Sequence, residues 1–133
     1  MRIGTFLRLF FGCHARPDRS FFFRGRQFPI CARCTGELVG ILAGIPIAFF
    51  FGYPSLFAAL LMTLPLVADG FAQRLTSYES GNLRRLFTGI LFGIAFVFLL
   101  IYFHRTCVHI AGAIVKCFAR DPQAVERAME VFL

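Results

Sequence analysis

Charge is scarce in this 133-residue chain: charged residues make up 16% of it, with seven acidic side chains in all. Soluble globular domains carry about 25%, so this composition argues against a domain clothed by water. Internal repeats and low-complexity linkers are also lacking, which argues against a solenoid or a disordered tether. Met1 to Gly12 has no long uncharged run, because Arg8 interrupts its only apolar stretch. That argues against a cleavable signal peptide, and the N-terminus is expected to be retained.

What is abundant is apolar: 58% hydrophobic residues, nineteen Phe and twelve Gly, with a mean hydropathy of +0.72. Lipid is the implied solvent, and Gly is frequent where membrane helices pack. The basic residues are unevenly placed. Arg2, Arg8, Arg16, Arg19, Arg24, Arg26 and Arg33 precede the first long apolar run, against Asp18 alone. Such a segment beside a membrane span sets topology and touches anionic headgroups, so membrane lipids are expected partners and nucleic acid is not.

Ile3, Phe6, Leu7 and Phe10 follow the helical period and predict a short interfacial helix. Around Gly25, between Ser20-Phe21-Phe22-Phe23 and Gln27-Phe28-Pro29-Ile30, the pattern predicts a tight hairpin-like turn. Apolar runs at about Thr35 to Phe51, Pro54 to Phe71 and Leu86 to Phe103 are each near the ~17 to 25 residues that cross a bilayer. The Gly52-Tyr53-Pro54-Ser55 connection makes the first two an antiparallel hairpin and carries no charge, whereas the next linker carries Arg74, Arg84 and Arg85. The positive-inside rule then expects the N-terminal segment and that linker on the cytoplasmic side of the cell (inner) membrane. Cys107 to Phe118 is too short to cross alone and reads as a continuation, a re-entrant piece or an interfacial helix. Asp121-Pro122 suggests an N-cap, with Val125, Ala128, Met129 and Phe132 on one face of a closing amphipathic helix. The expected fold class is therefore an all-α integral membrane protein. Its parts are a basic segment over 1–34, a transmembrane domain over 35–106 and a membrane-associated tail over 107–133.

Cys13-His14 precedes a C-x-x-C, Cys31-Ala32-Arg33-Cys34, followed by Thr35-Gly36. A C-x-x-C turn brings two sulfurs together, and the N-terminus of the first membrane helix, with Arg33, favours thiolate. Cys13 adds a third soft ligand, and His14 or a water completes a tetrahedral Zn²⁺ site, with iron as the second candidate. Small buried cysteines and a redox dithiol are the alternatives; cytoplasmic placement argues against a permanent disulfide. Cys107, Cys117, His104 and His109 are read as packing residues, with a disulfide or a weak second metal site as the alternatives.

A second polar group lies at the ends of the second and third spans. Asp69 and Gln73 are spaced i, i+4, while Glu79, Asn82 and Arg85 follow at i, i+3, so each set projects from one helix face. Glu37 adds a carboxylate in the first span. Ionisable residues in spans face partners or cavities, and these six are the candidate catalytic pocket. Two plainer roles compete: Thr76 to Glu79 fits a capping box, and Asp69 or Glu79 paired with Arg85 would fasten two helices. Asp69-Gly70-x-x-Gln73-Arg74 resembles faintly the opening motif of membrane CDP-alcohol phosphotransferases, but the downstream aspartate pair that would hold Mg²⁺ is absent, which excludes that assignment.

Taken together, Gly12-Cys13-His14, Pro17-x-Arg19-Ser20-Phe21, the Cys31 to Gly36 run, Asp69-Gly70-x-x-Gln73, Glu79-Ser80-x-Asn82-x-x-Arg85 and Thr88-Gly89 resemble a family of small prokaryotic membrane proteins classed as a domain of unknown function. The resemblance covers about residues 12 to 89 and implies a membrane protein without implying an activity. The residues themselves lead to a small membrane metalloprotein whose pocket serves metal-assisted hydrolysis or group transfer on a lipid or lipid-linked anion. A metal or proton transporter, sensor or accessory subunit, or a membrane thiol redox protein, is the alternative.

Overall fold

The computed structural model describes residues 3–118 and 122–130. It contains five α-helices: α1 (Ile3–Phe10), α2 (Ala32–Phe51), α3 (Leu56–Leu75), α4 (Asn82–Phe118) and α5 (Pro122–Glu130). A 3₁₀ turn (Pro17–Arg19) and a two-stranded hairpin, β1 (Phe22–Phe23) with β2 (Arg26–Gln27), lie between α1 and α2. The fold is thus mostly helical, and α2, α3 and α4 are long and apolar enough to cross a membrane. Few apolar side chains are shut away in a core, while Phe49, Phe50 and Phe51 are each at least 75% exposed. Lipid must cover that surface.

The hairpin forms because Arg24 and Gly25 both take positive φ, 50° and 74°, the pair of left-handed residues that a type I′ turn requires. α1 rests on the chain just before α2 through the Arg8 Nε donation to the Pro29 carbonyl, 2.8 Å. Helices α2 and α3 have 20 residues each, about 30 Å of rise, which matches the hydrocarbon core. Ser55 caps α3 by accepting from the Ala58 amide.

Compact units divide at Phe98, inside α4; the sequence reading set a boundary at 106. In the first unit α2 crosses α4 along glycines. A Cβ on Gly40 would lie 3.0 Å from Gly93 Cα, and one on Gly89 would lie 3.2 Å from Gly36 Cα. Such spacing lets two backbones touch, as small residues do between membrane helices.

Three expectations change. The third apolar run does not end near Phe103: α4 has 37 residues and includes Cys107 to Phe118 as a continuation. No capping box forms at Thr76 to Glu79, because Thr76 closes α3 and α4 starts only at Asn82. Glu79 therefore precedes α4 and shares no helix face with Asn82 and Arg85. In the second unit Val125, Ala128 and Met129 line a groove with Val108, Ala111, Gly112 and Val115. The expected cap Asp121 and Phe132 lie outside the described residues.

Candidate metal centre and buried arginine network

Cys13, Cys31 and Cys34 converge: their sulfurs all lie within 4.8 Å of one another, with Cys31 Sγ 3.5 Å from Cys34 Sγ. The elements explain this. Cys31 is the N-cap of α2 and Cys34 lies in its first turn, while the segment after α1 carries Cys13 back over them. Gln27 of β2 holds that segment by donating to the Ala15 carbonyl, 2.7 Å, and to Ser20 Oγ, 3.2 Å. The Cys31 and Ala15 amides donate to Cys13 Sγ at 3.1 and 3.4 Å. The hydrogen bond from the Cys34 thiol, with the Cys34 and Arg33 amides adding to it, pushes the Cys31 thiol down to about 5.

The donor set fits a soft divalent ion. Tetrahedral Zn–S bonds of ~2.3 Å put sulfurs about 3.8 Å apart, close to the spacing present. His14 is exposed and lines the same depression as the cysteines, together with Arg16 and Arg19. It is not one of the three convergent ligands.

Asp69 organises the second group. It is 1% exposed and pairs through Oδ2 with Arg33 of α2. The same oxygen accepts from Gln73 Nε2 at 2.6 Å and from Ser80 Oγ at 3.1 Å. Arg84 Nε stands 3.3 Å from Oδ1 but is not aligned to donate, and Oδ1 has no hydrogen bond among the described residues. Arg85, 4% exposed, donates to Ser80 Oγ at 3.1 Å and to Gln73 Oε1 at 3.0 Å. Both partners are neutral.

The competing role, Asp69 or Glu79 paired with Arg85, is not what the structure contains. Asp69 pairs with Arg33 and Arg84, and Glu79 pairs with Arg19 at 3.0 Å. Asp69, Gln73 and Arg85 are brought together, whereas Glu79 sits at the exposed margin, 68% accessible. Asn82 opens α4 without joining them, and Glu37 faces a separate cavity. Sequence reasoning passed over Ser80, buried at the centre, and over the carboxylate partners Arg33, Arg84 and Arg19. The signal for Arg33 was its place inside C-x-x-C, which ties the cysteine cluster to Asp69.

Four guanidinium groups, Arg19, Arg33, Arg84 and Arg85, thus meet three carboxylates, Asp69, Glu79 and Asp18, the last 3.5 Å from Arg19 Nε. The Nε atoms of Arg19 and Arg33 are buried without hydrogen-bond partners among the described residues. A buried donor such as Arg33 Nε, with no hydrogen bond and beside excess positive charge, suits an anionic group.

Residues 13–99 match a family of predicted membrane proteins designated DUF2085. The chain is 35% identical over 108 residues to an uncharacterized protein of Methanothermobacter thermautotrophicus, covering 78% of this chain and 97% of that one. It is 36% identical over 92 residues to an uncharacterized protein of Methanocaldococcus jannaschii, covering 65% of this chain and 59% of that longer one. No solved structure matches. With a family match spanning most of its length, including Cys13, Cys31 and Cys34 and all of the arginine network, the chain belongs to the DUF2085 family of predicted membrane proteins.

Proposed function

We propose that this protein is a zinc-binding protein of the cell (inner) membrane that takes a lipid or lipid-linked anion beside its metal centre. The observation that carries the reading is Arg85, a buried guanidinium with only Ser80 and Gln73 as described partners. A buried cation without its own carboxylate is costly, and an arriving anion relieves that cost. Arg33 offers to the same group an Nε donor that makes no hydrogen bond among the described residues. Three cysteine sulfurs within 4.8 Å of one another suit a tetrahedral zinc site, and metal analysis distinguishes zinc from iron, which takes the same donors.

Metal-assisted hydrolysis or group transfer is the reaction class that this donor set supports best. A zinc ion held by Cys13, Cys31 and Cys34 supplies a Lewis acid. Arg85 and Arg33 orient the anion. Asp69, wholly buried and held through Oδ2 by Arg33, Gln73 and Ser80, is a positioning residue, and Glu79 at the accessible margin is the carboxylate assigned to move a proton. The N-terminal segment and the linker from Arg74 to Arg85 face the cytoplasm in this reading, because they hold ten of the fourteen basic residues.

One observation favours a second reading: the 3.5 Å approach of Cys31 and Cys34 sulfurs suits a redox dithiol. Metal analysis of protein purified under reducing conditions separates the two. About one Zn²⁺ per chain, lost in Cys34→Ser, supports the metal centre. Arg85→Gln should then retain zinc and lose binding of short-chain phosphatidic acid. Metal-free protein that closes a Cys31 to Cys34 disulfide on mild oxidation would establish the redox reading instead.

A further inference from the structure

Glu37 is a second unabsorbed charge. It lies one helical turn beyond Cys34 on α2, is half-buried, and has no hydrogen-bond or ion-pair partner among the described residues. It faces a cavity of about 300 Å³ whose other walls are Phe10, Phe11, Ile41, Phe92 and Phe96. The rings come as two pairs. Phe10 and Phe11 meet edge to face at 5.1 Å between centroids, and Phe92 and Phe96 stack at 6.5 Å.

Each wall selects for the same guest. Aromatic faces are negative and attract cations, most strongly once water is excluded. A carboxylate in a span calls for a counter-charge. An inorganic ion is a poor fit, because a single carboxylate with no other ligand cannot replace its hydration shell. An acyl chain would fill the volume and leave Glu37 unpaired. A cation with a greasy surface satisfies both the rings and the carboxylate, and about 300 Å³ is the lower range of small-ligand pockets.

We propose that this cavity binds an organic ammonium group, with Glu37 as counter-ion and the four phenylalanines as its cage. The group comes either from the headgroup of an amine-bearing lipid or from a soluble ammonium compound. The site is separate from the metal centre and the arginine network, so loss of anion binding in Arg85→Gln leaves it standing.

Choline and 3,3-dimethylbutanol, its neutral analogue with carbon in place of nitrogen, test the charge requirement by titration calorimetry on the full chain in maltoside micelles. Wild type should bind choline saturably and the neutral analogue at least tenfold more weakly. Glu37→Gln, nearly identical in shape, should weaken choline at least tenfold, and Phe92→Leu several-fold. An unchanged thermal transition certifies each variant as folded; if Glu37→Gln does not fold, Phe92→Leu and Phe96→Leu read the cage. Equal affinity for the neutral analogue, undiminished choline binding by folded Glu37→Gln, or no saturable choline binding by wild type overturns the proposal. In nanodiscs, loss of choline binding on replacing phosphatidylglycerol with phosphatidylcholine identifies a lipid headgroup as the source. Retention there identifies a soluble ammonium.

Discussion

Replacing Asp69 with Asn removes one charge from a wholly buried position and leaves Arg33 and Arg84 facing a neutral amide. Arg84 is 59% accessible, and water compensates it, so its share is small. Arg33 is 25% accessible and its partner is fully buried. Breaking a buried pair from one side costs about 3 to 5 kcal/mol, and the partial exposure of Arg33 places this one near the lower limit, about 3 kcal/mol. Arg33→Gln should cost a similar amount by stranding Asp69. The double substitution should recover at least about 2 kcal/mol relative to the sum of the singles, because the interaction is removed as a unit. Arg85→Gln should cost less than either single, since it strands no charge. Equilibrium unfolding in mixed maltoside and dodecyl sulfate micelles measures all four. A coupling energy near zero for Asp69 and Arg33, or an Arg85→Gln loss as large as that of Asp69→Asn, would refute the assignment of partners.

Gly40→Ala should cost about 1 to 3 kcal/mol by overpacking, because its Cβ would press on the Ile90 carbonyl and on Gly93 Cα. Gly70→Ala, where a Cβ meets nothing within 4 Å, should stabilise α3 by about 0.5 to 1 kcal/mol; the same unfolding titration reads both. In metal-free protein the rate of Cys31 alkylation by iodoacetamide should rise with a midpoint at pH about 5, and Cys34→Ser should move the midpoint toward the ordinary thiol range of about 8.5. Because the folded state lowers this acid's pKa, its stabilising contribution is complete above about pH 8.5 and is lost as pH falls toward 5. With Cys107 and Cys117 replaced by Ser, a cysteine at exposed Ser77 should resist a membrane-impermeant maleimide applied to intact cells, while one at exposed Ser55 should react. Ser20 is unsuited to this test, being 3% exposed.

The sequence revealed what depends on local pattern. Three spans follow from hydropathy, the hairpin follows from Arg24-Gly25, and the sulfur cluster follows from C-x-x-C beside a helix start. Partner choice was not legible, because it depends on how helices rotate about their axes. Arg85 and Arg84 are adjacent in sequence, yet one is buried among neutral groups and the other flanks Asp69. Spacing from Glu79 gave the wrong face because α4 begins three residues later. The end of α4 was hidden for a different reason: His104, Arg105 and Thr106 interrupt the apolar run without interrupting the helix.

The glycine contact between α2 and α4 has a mechanical consequence. Contacts made by long side chains can slip from one rotamer to another, letting helices slide. A seam in which Gly36, Gly40 and Gly44 meet Gly89, Gly93 and Val97 offers few torsions to absorb shear. The first turns of both helices, carrying Cys34 on one and Arg85 on the other, are consequently set at a fixed spacing by backbone alone. The third long helix, α3, stands outside that seam and has only Ala59 and Asp69 buried. The Asp69 to Arg33 pair therefore ties α3 to a two-helix frame whose own spacing side chains cannot adjust.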